Sequence, residues 1–378
     1  MQIQKLCKKF GVYVIAKKEI KKGIINSTMI VTDADNNKYI FQEINSGVFK
    51  DVEKLMDNIA KVSEHIHEMH AKTKNSIDTY NLLKSGNKFY ITEKDEHGIP
   101  HYFRMYKYIS NASTYDEANE QLLFEAGVGF GSFQKLLNNF PAGELYETIP
   151  DFHNTRSRYN QFLEAMQKAK QNNPERYKKA KWAIEFAQEN KSIAGIIMDQ
   201  LENNNLPIRV VHNDTKLNNV MLSDKNRKPV AVIDLDTVMP GSLLFDYGDA
   251  IRFCASTAPE DETNLKLIDV NFNKLQAFTK GYLKETANVI TEKELEFMPE
   301  APKVLAYELG LRFLTDYLNG DKYFKVNSSR VDHNLERAVA QFTLTDKLDK
   351  YNEKIRKIIN KEYLENIKNK TKHNATNS

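Results

Sequence analysis

A change in hydrophobic pattern near residue 110 limits the folds open to this chain more than any other feature of its sequence. Before that point, short runs of β-branched and aromatic residues occur in pairs, within 29–41 and within 89–106, and each pair surrounds a turn of Asp, Asn, Gly or Pro. Between the pairs, apolar residues in 52–69 recur at spacings of three and four, which predicts one helix. The first 109 residues are therefore predicted to form a mainly β lobe.

Beyond residue 110 the pattern is helical, with one exception. A β-rich segment, 208–235, holds two runs that are typical of strands. Long amphipathic stretches surround it, at 116–139, 156–189, 192–204, 299–319 and 332–360. We therefore predict an α+β, bilobal fold, with a small β-rich lobe over 1–109 and a large, mainly helical lobe over 110–378. Ligands usually bind in the cleft between such lobes.

Composition excludes several classes of protein. The 54 Lys and Arg residues nearly balance the 51 Asp and Glu residues, so bulk charge does not indicate nucleic-acid binding. The longest apolar runs are about five residues, far below the roughly 18 needed to span a membrane, and no secretory signal is visible. Two cysteines, Cys7 and Cys254, cannot form a disulfide framework. We expect a cytoplasmic protein without a nucleic-acid or membrane partner.

The strongest chemical signal lies inside the β-rich segment. Residues 212–219 read H-N-D-T-K-L-N-N, and an apolar strand leading to Asp234 follows them. This fits the kinase catalytic loop H-x-D-x-K-x-x-N with its trailing metal-binding Asp. A loop between two strands can direct Asp214 toward an acceptor hydroxyl as the general base and turn Asn219 toward a metal. Carboxylate and amide oxygens of this kind suit Mg²⁺, so Asn219 and Asp234 are predicted as its ligands.

Lys216 extends this arrangement, because a point charge two residues after the base can neutralise the migrating phosphoryl group. The plain alternative is a solvated loop around a buried histidine. The combination of strand, loop, second strand and trailing Asp favours the catalytic interpretation.

The segment 211–236 resembles the aminoglycoside phosphotransferase/choline kinase superfamily of small-molecule kinases, which have a protein-kinase-like fold. More closely, several blocks of the chain resemble the N-acetylhexosamine 1-kinases. These blocks are 22–28, 39–49, 212–219, 233–241 and 312–321. The resemblance therefore covers nearly the whole chain.

The resemblance implies an ATP- and Mg²⁺-dependent enzyme that phosphorylates C1 of a small-molecule sugar, either GlcNAc or GalNAc. We also expect the protein to be a monomer. It implies Asp214 as general base and Asn219 and Asp234 as Mg²⁺ ligands. It also implies a set of substrate-binding residues: Asp214, Thr237 beside the sugar, Phe253 near the N-acetyl group, and Arg312 and Tyr323 as sugar contacts.

The turn 22–28 is a candidate for covering the nucleotide phosphates. Gly23 would ease close approach of the backbone, and Asn26, Ser27 and Thr28 would donate hydrogen bonds. A simple β-turn is the alternative, because a single glycine is weak evidence. Gln42 completes the predicted nucleotide site, although it departs from the kinase pattern, which has a lysine on this strand.

Three further features have open or plain interpretations. The glycine-rich run 127–132 lacks the context of a phosphate loop and is predicted to pack helices closely. Asp246 is predicted to cap the N-terminus of a helix. Arg104, on a strand leading to the lobe junction, could bind an anion or pair with a carboxylate.

Two rival functions remain. The same fold could phosphorylate an amino alcohol or an aminoglycoside, but such cationic acceptors need acidic pockets, and Arg312 on the acceptor side favours a neutral sugar. Alternatively, Gln42 could mark a nucleotide-binding pseudokinase.

Overall fold

A computed structural model describes residues 3–20, 26–73 and 77–376. The N-terminal region is a five-stranded antiparallel sheet in the order β1-β2-β3-β5-β4, with two helices. Its elements are α1 (Ile3–Lys8), β1 (Val14–Ile20), β2 (Ser27–Asp33), β3 (Lys38–Ile44), α2 (Val52–Thr73), β4 (Tyr90–Lys94) and β5 (Pro100–Lys107).

The remainder of the described chain is mainly helical. Its helices are α3 (Glu120–Leu136), α4 (Thr155–Asn172), α5 (Pro174–Lys179), α6 (Lys181–Glu189), α7 (Met198–Glu202), α8 (Leu243–Cys254), α9 (Phe272–Thr286), α10 (Glu292–Phe297), α11 (Ala301–Leu318), α12 (His333–Lys350) and α13 (Asn352–Thr376). Its short strands are β6 (Ala112–Ser113), β7 (Arg209–Val211), β8 (Val220–Ser223), β9 (Pro229–Val232) and β10 (Met239–Gly241). The predicted α+β, bilobal fold is confirmed.

The two faces of the N-terminal sheet have different neighbours. Side chains alternate between faces along a strand, so Phe41 and Phe103 lie on one face and Gln42 and Arg104 on the other. The first face packs with α1 around a buried apolar cluster, in which the rings of Phe41 and Phe103 stack 5.4 Å apart. The second face therefore carries polar side chains toward the rest of the protein.

The predicted hairpin within 29–41 is confirmed, since β2 and β3 pair around a turn in which Asp33 accepts hydrogen bonds from the backbone of Asp35 and Asn37. The glycine-rich run lies inside α3 and packs against α9. A Cβ atom at Gly127 would collide with the Phe278 carbonyl group, and one at Gly281 with the Phe124 carbonyl group. Close helix packing, as predicted, is the role of these glycines.

The β-rich segment pairs less simply than its sequence indicates. Its two predicted strands exist as β7 and β9, but β7 pairs with β10 and β9 pairs with β8. The loop 212–219 lies between β7 and β8, so two small sheets hold its two ends. A membrane crossing would require a long apolar helix, and none occurs in the part of the chain that the structure describes.

Candidate active site

The buried carboxylate of Asp246 holds the start of the loop 212–219. It accepts backbone N–H groups from His212 at 2.9 Å and Asn213 at 2.8 Å, and the amide of Gln134 at 2.8 Å. The hydroxyl of Thr215 donates to the Asp246 carbonyl group at 2.7 Å. Burial raises the pKa of Asp246, and these hydrogen bonds together with His212 oppose that rise.

The prediction that Asp246 caps a helix is wrong. Helix α8 begins at Leu243, and Ser242 is its cap, accepting the Leu244 N–H group. Asp246 therefore lies within the first turn, where its carboxylate points to the loop instead of the helix end.

The side chain of His212 joins the loop to the segment that carries Asp234. It is fully buried, and its ring contacts the rings of Phe130 and Phe133. Its Nε2 atom lies 2.9 Å from the Ile233 carbonyl oxygen. Thr237 adds a second link, since its hydroxyl donates to the His212 carbonyl group at 2.7 Å. Thr237 thus lies against the loop, and its place beside a sugar stays a prediction.

Asp214, Lys216 and Asn219 come together at the far side of the loop. Lys216 Nζ lies 2.7 Å from Asp214 Oδ1, and Asn219 Nδ2 donates to Asp214 Oδ2 at 2.9 Å. Burial disfavours the charged form of Lys216, but the Asp214 carboxylate outweighs burial, and the pKa of Lys216 is raised. Because the Asn219 amide nitrogen faces Asp214, its side-chain oxygen is not used in this contact.

Asp234 lies beside this cluster in the left-handed backbone conformation, with φ of 62°. Its side chain is open to solvent on one side and otherwise surrounded by protein. Burial, Asp236 and Asp214 raise the pKa of Asp234 to about 7. Crowded carboxylates of this kind are stabilised by a bound cation.

The residues present fit a magnesium ion that a phosphate-bearing ligand helps to hold. Within the described chain, no three His, Cys, Asp or Glu side chains form a metal cage on their own. Mg²⁺ is usually held by one or two carboxylates together with substrate phosphates and water, so the Asp234 carboxylate and the Asn219 side-chain oxygen are of the kind that would hold it.

The predicted nucleotide-binding residues of the N-terminal sheet lie in a hydrogen-bonded network. Gln42 donates from Nε2 to the Thr28 hydroxyl at 2.9 Å, and Asn26 donates to Asp236 Oδ2 at 2.6 Å. Ser27, at the start of β2, is exposed. Gly23 lies outside the described residues. Contact of these residues with a nucleotide stays a prediction.

Arg104, which the sequence left undecided, is the centre of that network. Its side chain is buried and forms an ion pair with Asp236, and its Nε atom donates to Gln42 Oε1 at 2.9 Å. Of the two interpretations that the sequence allowed, pairing with a carboxylate is the one the structure shows.

Arg312 and Tyr323 line one cavity of about 290 Å³. The Arg312 guanidinium stacks between two rings, 5.4 Å from the Phe152 centroid and 5.6 Å from the Phe324 centroid. Asp316 fixes the turn that carries Tyr323, because its Oδ1 atom accepts the Tyr323 backbone N–H group at 2.8 Å. These two predicted sugar contacts are therefore brought together.

Phe253 is not brought to the same cavity. It lies at the end of α8 with 41% of its surface exposed, and it lines a separate cavity of about 380 Å³ together with Arg252 and Arg337. A shared role with Arg312 in binding one sugar stays a prediction.

Sequence reasoning missed Arg158, which lines the cavity with Arg312. Its Nη atoms donate to Gln161 and to the Phe152 carbonyl group, both at 3.1 Å, while its buried Nε atom has no hydrogen-bond partner among the described residues. Burial and Arg312 lower the pKa of Arg158. No sequence signal identifies it, because it lies on a polar helix outside every motif.

A small antiparallel sheet joined to a helical region, with Asp214 and Asn219 in a loop between two short strands and Asp234 after the next strand, is typical of kinase-like phosphotransferases. The comparison with protein families agrees: the family model described as APH, Phosphotransferase enzyme family, matches residues 18–269. The chain belongs to this phosphotransferase family.

Solved structures show the same fold. The chain is similar to an aminoglycoside phosphotransferase from Alicyclobacillus acidocaldarius, with a TM-score of 0.59, 10% identity, and coverage of 93% of this chain and 96% of that one. It is similar to a microcompartment-associated aminopropanol kinase, with a TM-score of 0.56, 14% identity, and coverage of 93% and 97%. An amicoumacin kinase in complex with AMP-PNP and Ca²⁺ has a TM-score of 0.55, 15% identity, and coverage of 92% and 94%.

Proposed function

We propose that this protein transfers the γ-phosphoryl group of ATP to the anomeric C1 hydroxyl of an N-acetylhexosamine, GlcNAc or GalNAc. The observation that carries the phosphoryl-transfer part is the contact of Asp214 with Lys216 and Asn219, beside Asp234. A base, a cation and two oxygen ligands for a metal are the parts this reaction needs.

In the proposed reaction, Asp214 accepts the proton of the C1 hydroxyl while that oxygen bonds to the γ-phosphorus. The bond between the γ-phosphorus and the bridging oxygen breaks, and ADP leaves. Lys216, 2.7 Å from Asp214, would neutralise charge on the transferring oxygens. Asn219 and Asp234 would hold Mg²⁺, which neutralises the triphosphate when bound.

The acceptor cavity supports a neutral, hydroxyl-rich acceptor. It is lined by two arginines, Arg158 and Arg312, and by one acidic side chain, Asp316. The Asp316 oxygens accept three backbone N–H groups of 322–324. A carboxylate satisfied in this way is poorly available to a cationic amine, whereas arginine and tyrosine donate readily to sugar hydroxyls.

A second candidate keeps the fold and changes the acceptor to an amino alcohol or aminoglycoside. It is motivated by the similar structures, which include kinases named for aminopropanol and aminoglycosides. A coupled ADP-release assay over GlcNAc, GalNAc, ethanolamine and kanamycin separates the two. We expect ADP release with one or both N-acetylhexosamines; activity confined to the amines would overturn the acceptor proposal.

The third candidate, a nucleotide-binding pseudokinase, is motivated by Gln42 in place of a lysine. Calorimetry with Mg·ATP tests whether the site binds nucleotide, and ADP release tests whether it reacts. Binding without release for any acceptor would favour the pseudokinase.

We also propose that residues 1–109 form the nucleotide-binding lobe and residues 110–378 the catalytic and acceptor-binding lobe of a monomer. The two thiols, Cys7 and Cys254, are both buried and free, which is compatible with a reducing cytoplasm.

A further inference from the structure

Strand β3 lacks the lysine that the kinase pattern has on this strand. Its position holds Gln42, and a glutamine supplies no positive charge to the site. The register of the sheet places Gln42 directly opposite Arg104 on β5 and opposite Thr28 on β2. The cation of Arg104 thus lies on the same sheet face as Gln42, on the strand next to the one that carries the lysine in the kinase pattern.

Burial and polar contacts hold the Arg104 side chain in this position. Only 1% of its surface is exposed, its Nη1 atom pairs with Asp236, and its Nε atom donates to Gln42 Oε1 at 2.9 Å. The second oxygen of Asp236 accepts from Asn26 at 2.6 Å. Arg104 on β5 and Asn26, immediately before β2, therefore hold the Asp236 carboxylate, which lies two residues after Asp234.

A charged guanidinium this deep in the protein needs a permanent partner. Burial works against its charge, but Asp236 outweighs burial, so the pKa of Arg104 is raised and the group stays charged. The rings of Tyr80 and Tyr106 stack 4.2 Å apart in the same region of the protein. The cation is consequently a fixed part of the fold.

The Gln42 amide is oriented by this charge. Its carbonyl oxygen faces Arg104, while its Nε2 atom donates to Thr28 at 2.9 Å. A lysine at position 42 would replace the accepting oxygen by a second cation next to Arg104, and like charges in a buried site repel strongly. Glutamine is therefore the complement of Arg104.

From this geometry we infer that the buried cation of the nucleotide site has moved from β3 to β5. Arg104 acts as a positioning residue that fixes Asp236, and with it the segment carrying Asp234, against the N-terminal sheet. Gln42 accommodates Arg104, because its side-chain oxygen accepts a hydrogen bond from the guanidinium. This inference rests on the proposed phosphotransferase site, and it concerns which strand carries the charge, whatever the acceptor.

The test is an exchange of charge between the two strands. The variants are Gln42→Lys, Arg104→Gln and the double variant, with Lys107→Gln as control, because Lys107 is an exposed cation on the same strand. Each is measured by calorimetry with Mg·ATP, by KM for ATP and kcat, and by thermal unfolding.

We expect each single variant to weaken Mg·ATP binding by about 10- to 100-fold, the range for losing a hydrogen bond to a charged group. The double variant, with a lysine on β3 and a neutral β5, should recover to within about 10-fold of wild type, since the cation beside Asp236 returns. The control should match wild type. Recovery of ATP affinity is a readout that a purely structural arginine would not give.

Tighter Mg·ATP binding by Gln42→Lys would overturn the inference, as would a folded double variant no better than Arg104→Gln. If Arg104→Gln fails to fold, the Mg·ATP affinity of Gln42→Lys is the deciding measurement. This variant retains Arg104 and changes only a part-buried side chain. Failure of the proposed function is a different result: wild type would then bind Mg·ATP without transferring phosphate, or would not bind it.

Discussion

The loop 212–219 and the cavity lined by Arg158 and Arg312 differ in how their polar groups are satisfied. In the loop, His212, Asp214 and Asn219 all have partners within the chain, and Asp246 holds the backbone. In the cavity, the buried Nε atom of Arg158 has no hydrogen-bond partner among the described residues. The guanidinium of its neighbour Arg312 lies over two aromatic rings and, among the described residues, makes no hydrogen bond or ion pair.

This difference indicates that the loop is preorganised, whereas the cavity is suited to recognising a ligand. A loop whose groups are already bonded keeps its geometry before any ligand arrives, which suits electrostatic stabilisation of a transferring phosphoryl group. A cavity with unpaired donors gains those bonds only when a ligand brings acceptors. Loss of a loop contact should therefore lower kcat and stability, whereas loss of a cavity donor should raise KM and leave stability unchanged.

The largest effect is expected for Asp214→Asn. Removing the proposed general base should lower kcat by about 10²- to 10⁴-fold, while Mg·ATP binding by calorimetry should stay near wild type because the proposed base contacts the acceptor and not the triphosphate. Asp224→Asn, on the exposed β8–β9 turn, is the matched control and should retain full kcat. A wild-type kcat for Asp214→Asn would show that Asp214 is not the general base.

The next effect is expected for Asp246→Asn. The amide keeps one accepting oxygen but turns an N–H group toward a backbone donor, so one hydrogen bond to a charged group is lost. The free energy of unfolding should fall by about 1.5–3 kcal/mol in urea titration, and kcat should fall by about 10-fold. If stability fell and kcat did not, the loop would need no support from α8.

Arg312→Met tests the cavity, where we expect an effect on KM and not on stability. The thioether chain can still pack between Phe152 and Phe324, but the donors are gone, so we expect KM for the sugar to rise about 10- to 100-fold with an unchanged melting temperature. Arg227→Met removes an exposed arginine elsewhere and serves as the control. An unchanged KM for the sugar would show that the acceptor does not bind in this cavity.

The smallest effect is expected for Arg158→Met. KM for the sugar should rise about 10-fold, because one donor to the acceptor is lost. The melting temperature should stay equal or increase slightly, since the repulsion between Arg158 and Arg312 disappears. A marked fall in melting temperature would show that Arg158 supports the fold instead of the ligand.

The sequence could predict those parts of the molecule that depend on neighbours in the chain. The loop 212–219 is a local motif, and the β2–β3 hairpin follows from its own turn. Strand β10 was missed because its three residues become a strand only by pairing with β7. Strand β1 was missed because it is an edge strand whose residues are mostly exposed.

The predicted site was incomplete for the same reason. The partner of Arg104 is Asp236, 132 positions away, and Gln134 meets Asp246 across 112 positions. Arg158 and Arg312 meet only because α4 and α11 pack together. Contacts at such separations follow from the tertiary fold, and no local pattern marks them.

³¹P NMR of the wild-type protein with Mg·ATP and GlcNAc or GalNAc follows phosphoryl transfer to C1 directly. We expect ADP and a new phosphomonoester signal in equal amounts, with the phosphorus coupled to the anomeric proton of the sugar. A spectrum that shows no phosphomonoester, or one whose phosphorus couples to protons at another carbon, would rule out transfer to C1.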